Sequence, residues 1–220
     1  MRFIVYSIFI AFSLIWSVNT NAQSVNQATQ MLNQVKENML SEESWFFDFE
    51  LEIFFPELDP EVIKGKLYQD GNKIRADLGD QVLISDGETV WTYIRDFNEV
   101  QISNYEEGME EMFLSPTSIV SIYESGEYAY QYSGAQEIDG RNLHLIEFKP
   151  SQPGPSEYVK INLFLDMDNK IPYAVGISAR NGTRYNLVIN DHDRGANHPA
   201  GTFSFDESEF PGVEIEDLRF

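Results

Sequence analysis

The amino-acid sequence predicts a mainly β domain with some α, in which one large antiparallel sheet is covered by an N-terminal helix and a short mid-chain helix. Three observations carry this reading. Residues 45–55 alternate, with Trp45, Phe47, Phe49, Leu51, Ile53 and Phe55 on one side and Phe46, Asp48, Glu50, Glu52 and Phe54 on the other. That is the period of a strand with one apolar and one wet face. Turn-forming dipeptides recur at Asp70-Gly71, Asp86-Gly87, Asp139-Gly140, Asp168-Asn169 and Asn181-Gly182, separating runs of β-branched and aromatic residues. Helical spacing is confined to two stretches, one near each end of the first half of the chain.

The chain opens with Met1-Arg2 and an apolar run, Phe3–Trp16, broken only by Ser7 and Ser13. Thr20-Asn21-Ala22 then precedes Gln23, so the start has the parts of an export signal cut after Ala22. A membrane anchor needs roughly 20 apolar residues, and Ser17–Asn21 is too polar to extend the run. The expectation is a cleaved leader, 1–22, and one domain, 23–220.

Ser24–Leu40 reads as a helix. Ser24 can cap it, and Val25, Ala28, Leu32, Val35 and Met39 recur on one face, widened by Met31. Trp45–Phe55 is the first strand, ended by Pro56 and Pro60. Further strands are expected over Val62–Gln69, Lys73–Leu78, the two runs flanking Asp86-Gly87 (the second Thr89–Ile94), Val100–Ile102, Tyr128–Ser133, Leu143–Lys149, Tyr158–Asp166, Tyr173–Ala179 and Arg184–Ile189. Consecutive strands joined by tight turns make a meander. Pro150–Pro155 is a Pro/Gly-rich loop. Met109–Tyr123 contains Ser115-Pro116, a cap with Pro at the first helical position, followed by the apolar Ile119, Val120, Ile122 and Tyr123.

Composition narrows the function. There is no cysteine, so the exported chain carries neither disulfides nor a thiol to acylate, and its fold rests on a hydrophobic core. The formal charge is −21, or −22 once a leader with its single Arg is removed. Such a surface repels nucleic-acid phosphates and anionic lipid headgroups and favours solubility. No nucleophile elbow, phosphate loop or dinucleotide fingerprint is present. Asp166-Met167-Asp168 resembles the start of a calcium loop, but Ile171 and Ile177 stand where such a loop needs Gly and Glu, so a β-turn is the better reading. His192, Asp193 and His198 are read as a solvated loop and His144 as a structural residue on a strand. Asn181-Gly182-Thr183 fits a glycosylation sequon but is first a hairpin turn. No enzyme, cofactor or metal is indicated. What remains is apolar surface: Phe47, Phe49, Leu51, Ile53, Leu67, Trp91, Tyr93, Ile119, Tyr123 and Phe164 form either a filled core or the wall of a pocket for acyl chains.

Three segments also carry a family resemblance. Leu83-Ile84-Ser85-Asp86-Gly87-Glu88-Thr89-Val90-Trp91-Thr92-Tyr93 resembles a strand pair written apolar-V-S-D-G-K-x-L-W-x-Y. Ser115-Pro116 and its helix resemble T-P-x-x-L-L. Phe203-Ser204-Phe205 and Phe210-Pro211-Gly212-Val213-Glu214-Ile215 resemble F-x-F-x-P-P-x-G-V-x-V. The family is the outer-membrane lipoprotein carrier LolA. The resemblance implies an incomplete antiparallel β-barrel shaped like a cup, with the two helices as a lid. It further implies a monomeric periplasmic carrier that takes acylated lipoproteins from an inner-membrane ABC lipoprotein exporter to an outer-membrane acceptor, with the residues named above binding the acyl chains. A related cup-fold module that carries or senses another lipid or hydrophobic ligand is the alternative. One departure stands out: the family's Arg-Pro between its second and third strands, which helps hold the lid, is replaced by Gly71-Asn72 in Asp70–Arg75.

Overall fold

The computed structural model describes residues 20–105, 122–152, 154 and 156–219. One helix, α1 (Thr20–Leu40), precedes twelve strands in a single sheet. These are β1 (Ser44–Phe54), β2 (Glu61–Asp70), β3 (Lys73–Asp77), β4 (Gln81–Ser85), β5 (Thr89–Ile94), β6 (Glu99–Asn104), β7 (Tyr128–Ile138), β8 (Arg141–Pro150), β9 (Tyr158–Asp166), β10 (Ile171–Ala179), β11 (Arg184–Arg194) and β12 (Glu214–Asp217). The order is β12-β6-β5-β4-β3-β2-β1-β11-β10-β9-β8-β7. Two meanders, β1–β6 and β7–β11, are thus joined by antiparallel pairing of β1 with β11. The sheet does not close, because β12 and β7 remain as its edges.

All five predicted turn dipeptides sit between paired strands. Asp86 illustrates why: its Oδ1 accepts from the N–H of Glu88 and Thr89, and Gly87 takes φ +93°. The calcium-like segment is a turn as well. Asp166 is buried, its Oδ1 accepts from the N–H of Asp168 and Asn169, and its Oδ2 accepts from the Asn169 side chain. Several strands run further than the sequence suggests, β7 and β11 the most. β7 continues through a bulge between Tyr132 and Ala135, where Gly134 has φ +107°. β11 continues to Arg194, so His192 and Asp193 lie in a strand and not in a loop. The mid-chain helix expected over Met109–Tyr123, with Ile119, lies outside the described residues, except that Ile122 and Tyr123 open a 3-10 turn, Ile122–Glu124.

One face of the sheet curls around α1. Ala28, Leu32, Val35 and Met39 are at most 1% exposed and join a cluster that runs from Val90 on β5 through Leu67 and Phe47 to Ile146 and Phe148 on β8. A helix is only about 10 Å wide and strands lie about 4.8 Å apart, so sinking one helix among so many strands requires curvature. The Trp45 indole N–H, shared between the carbonyls of Met39 and Glu42 at 3.1 Å each, fixes the helix end to the first strand.

The opposite, convex face is covered along β2–β6 by the C-terminal segment. Phe205 stacks on Trp91, Phe210 packs on Tyr93 with centroids 4.4 Å apart, and Phe205 and Phe210 stack on each other. His198 meets Tyr68 and Phe203 edge-on. Asn98, at φ +48°, donates from its amide to the Gly212 carbonyl, accepts from the Glu214 N–H through its own carbonyl, and takes the Tyr93 hydroxyl on its Oδ1. That junction launches β12, which pairs parallel with β6. Phe210 is 7% exposed. Phe210→Ala is expected to cost about 3 kcal/mol, measured by urea denaturation, and to make the segment after Arg194 cleavable by protease in the native protein.

Candidate functional site

The concave face is the candidate site, and β1 is its floor. Trp45 and Phe47 are buried beneath α1, whereas Phe49, Leu51 and Ile53 on the same face are only half-buried. Register places Phe49 between Gly65 and Ile189, Leu51 between Ile63 and Leu187, and Ile53 between Glu61 and Tyr185. Apolar side chains therefore continue across three strands toward the turn ends of β2 and β11. The tip of the Phe49 ring lies over Gly65, where any Cβ would run into it, so the glycine is what makes room for the ring.

The ten candidate residues do not all share this face. Phe47 and Leu67 are in the buried cluster, and Phe49, Leu51 and Tyr123 pack against it. Ile53 lies one pair further along β1. Trp91, Tyr93 and Phe164 are elsewhere. Trp91 is paired with Ile84 and Ile102, and Tyr93 with Val82 and Val100. These two rings face outward and are the seat of the C-terminal clasp. Phe164 belongs to a separate convex cluster with Leu143, Tyr173 and Ala174. Aromatic content alone does not reveal which face a strand presents when both faces are covered. Ile119 lies outside the described residues.

Tyrosines rim the concave cluster, a feature that sequence reasoning missed. Tyr105, Tyr123, Tyr130, Tyr132, Tyr158 and Tyr185 all pack against it half-buried. Tyr130 shares a hydrogen bond with the Thr29 hydroxyl at 3.0 Å, Tyr132 pairs with His144 Nδ1 at 3.1 Å, and Tyr123 donates to Asn33 Oδ1 at 2.6 Å. His144 is thus a structural partner. His192 stands opposite Phe47 on β11, while His198 Nε2 lies 3.0 Å from the Gln69 carbonyl, packed on Tyr68 across the strand. The two are not brought together, and no group of metal-ligating side chains occurs among the described residues. A cleft of about 500 Å³, lined in part by Asp70, Lys73, Asp86 and His198, lies at the strand turns away from this floor.

A polar stripe holds α1 in place. Thr29, Asn33 and Lys36 follow one another at helical spacing and reach Tyr130, Tyr123 and Glu124 in turn. Beyond them Asn38 donates to the carbonyls of Asn169 and Lys170. The Lys36 ammonium holds the Glu124 carboxyl below the ordinary value of 4.5, with help from Tyr123. Burial, and then the neighbouring Glu124, push the Tyr123 phenol up to about 12. At Asp70–Lys73 the turn is a tight one with Gly71 at φ +60°, so this stripe ties down the helix without any basic side chain from that turn.

Residues 63–183 match the profile of the family described as outer membrane lipoprotein carrier protein LolA, more than half of the 220-residue chain. The chain belongs to the LolA family, a family of carriers. Among solved structures it is similar to an uncharacterized conserved protein from Thermus thermophilus, with a TM-score of 0.58 at 11% identity, covering 87% of this chain and 99% of that one. It is also similar to MucB, with a TM-score of 0.50 at 15% identity, covering 87% of this chain and 66% of MucB. At such identities the likeness concerns the fold alone. No curated protein matches the chain by sequence. No described helix is long and apolar enough to cross a membrane.

The polar stripe has a defined acid response. A carboxyl whose folded pKa is depressed stabilises the folded state above its unfolded pKa, and that contribution is lost as pH falls through the lowered folded value. Hydrogen exchange of the α1 amides over residues 29–36 is therefore expected to accelerate as pH drops below 4.5, after correction for intrinsic rates. In Glu124→Gln it is expected to be faster at neutral pH and to lose that acid step.

Proposed function

We propose that this protein is a periplasmic carrier that shields the acyl chains of lipoproteins on the concave face of its sheet and performs no covalent chemistry. The observation that carries this reading is the unfinished burial along β1: the same apolar face that is sealed at Trp45 and Phe47 is left half-open at Phe49, Leu51 and Ile53. An acyl chain gains about 0.8 kcal/mol for each methylene removed from water, so a half-covered apolar floor of this kind stabilises a chain laid upon it. Family membership supports the cargo class. Phe49, Leu51 and Ile53 would meet the chain first. Phe47, Leu67 and Tyr123 would meet it as α1 moves, and the polar stripe at Thr29, Asn33 and Lys36 would set how readily that happens.

In this reading residues 1–22 are a cleaved export signal, the remaining chain acts as a monomer, an inner-membrane ABC lipoprotein exporter supplies the cargo, and an outer-membrane acceptor receives it. The excess of acidic over basic residues, 36 against 15, keeps the loaded carrier from anionic membrane surfaces. A second reading, a cup-fold module that carries or senses another hydrophobic ligand, draws on the Gly71-Asn72 turn, which lacks the Arg-Pro of the family resemblance. Native mass spectrometry of protein purified from its own periplasm separates them. Bound triacylated lipoprotein is expected, together with lipoprotein release from spheroplasts when the protein is added. Bound free lipid without lipoprotein release would favour the second reading, and neither lipid nor release would contradict both.

A further inference from the structure

Among the tyrosines on the concave cluster, Tyr105 aside, the hydroxyls divide into two sets. Those of Tyr123, Tyr130 and Tyr132 are taken by Asn33, Thr29 and His144, and the buried Tyr128 shares a 3.5 Å contact with the Ser156 hydroxyl. Tyr158 and Tyr185 also pack their rings on the cluster, yet neither hydroxyl meets a hydrogen-bond partner among the described residues. They are neighbours, close enough for Tyr185 and Tyr128 to influence the Tyr158 phenol. Tyr158 stands opposite Ala179 on β10, and Tyr185 lies between Ile53 on β1 and Ile177 on β10. The pair therefore stands at the end of the half-open floor, where Ile53 is its last inward-facing residue.

We propose that Tyr158 and Tyr185 form a headgroup subsite that donates hydrogen bonds to the ester carbonyls of an O-acylated glyceryl group whose chains lie along Phe49, Leu51 and Ile53. This rests on the carrier reading and specifies which part of the cargo the mouth of the cup recognises. A phenol with an apolar body and a donating tip suits the boundary between a chain and its polar head. Burial raises the Tyr158 phenol above its ordinary value, so it stays a neutral donor at physiological pH. The cations at this end are engaged elsewhere. Arg180 donates to the carbonyls of Ser156 and Gly154, and Arg184 lies over the Phe54 ring, on the other side of β1 from Ile53. A free carboxylate or phosphate head would thus meet neutral donors on a strongly acidic protein, whereas an ester carbonyl needs no counter-charge.

The test uses displacement of the neutral fluorophore N-phenyl-1-naphthylamine by 1,2-dihexanoylglycerol and by its diether analogue 1,2-di-O-hexylglycerol, which has equal chains but no carbonyls. The wild-type protein is expected to prefer the diester roughly five- to tenfold, the scale of one or two net hydrogen bonds. The double variant Tyr158→Phe, Tyr185→Phe keeps both rings. It is expected to lose that preference while binding the fluorophore and the diether as before. Retention of the diester preference in the double variant overturns the subsite and leaves the carrier reading intact. Failure of the wild-type protein to bind the fluorophore or either lipid overturns the subsite together with the reading it rests on.

Discussion

A wide sheet with a single described helix to cover it is the constraint on which this structure depends. Twelve strands present far more apolar surface than α1 can seal. The protein meets this by curling the sheet around the helix, and β1 records how far that goes. At Trp45 and Phe47 the side chains are fully enclosed, and the indole N–H is satisfied by two carbonyls at the helix end. From Phe49 to Ile53 the same face stays half-open. Core and candidate site are thus one surface, differing only in what lies over it.

The convex face is treated differently. There the chain supplies its own permanent cover: Phe205 and Phe210 are laid over Trp91 and Tyr93, His198 stands between Tyr68 and Phe203, and the segment is locked by the left-handed Asn98 and the β12 pairing. Aromatic stacking of this kind is short-range and dry, and it suits a contact that is not meant to open. The cover on the concave face is held at its margin by hydrogen bonds and one ion pair, Lys36 with Glu124, that are partly exposed. Polar contacts at a wet boundary contribute little net stability each, which fits a cover whose opening is part of the proposed cycle.

Much of this is legible in the residues. The strict alternation from Trp45 is enough by itself to orient β1, and dipeptides such as Asp86-Gly87 locate the turns because few residues accept positive φ. The α1 stripe is likewise readable, since Ala28, Leu32, Val35 and Met39 fall on one side of a 3.6-residue period. Trp91, Tyr93 and Phe164 are not assignable to a face. Alternation within β5 or β9 says only that neighbours point oppositely, and the pairing partners that settle the face are distant in sequence. The C-terminal aromatics are recognisable as a motif but not as the partners of Trp91 and Tyr93. β7 is longer than its residues suggest because Gly134 marks a bulge rather than an end. The contrast between bonded and unbonded tyrosine hydroxyls has no sequence signal at all, because it depends on which side chains the fold brings within about 3 Å.

The central claim is that an acyl chain lies on the half-open end of the β1 floor. The most direct measurement is methyl NMR of isotopically labelled protein with 5-doxyl-stearic acid methyl ester, whose nitroxide lies near the ester end and broadens nearby signals. The account predicts the strongest broadening at Leu51, Ile53, Ile63 and Ile177, and weaker broadening at Val188 and Ile84 on the convex face. Broadening centred on the convex methyls, or none at saturating ligand, would contradict it.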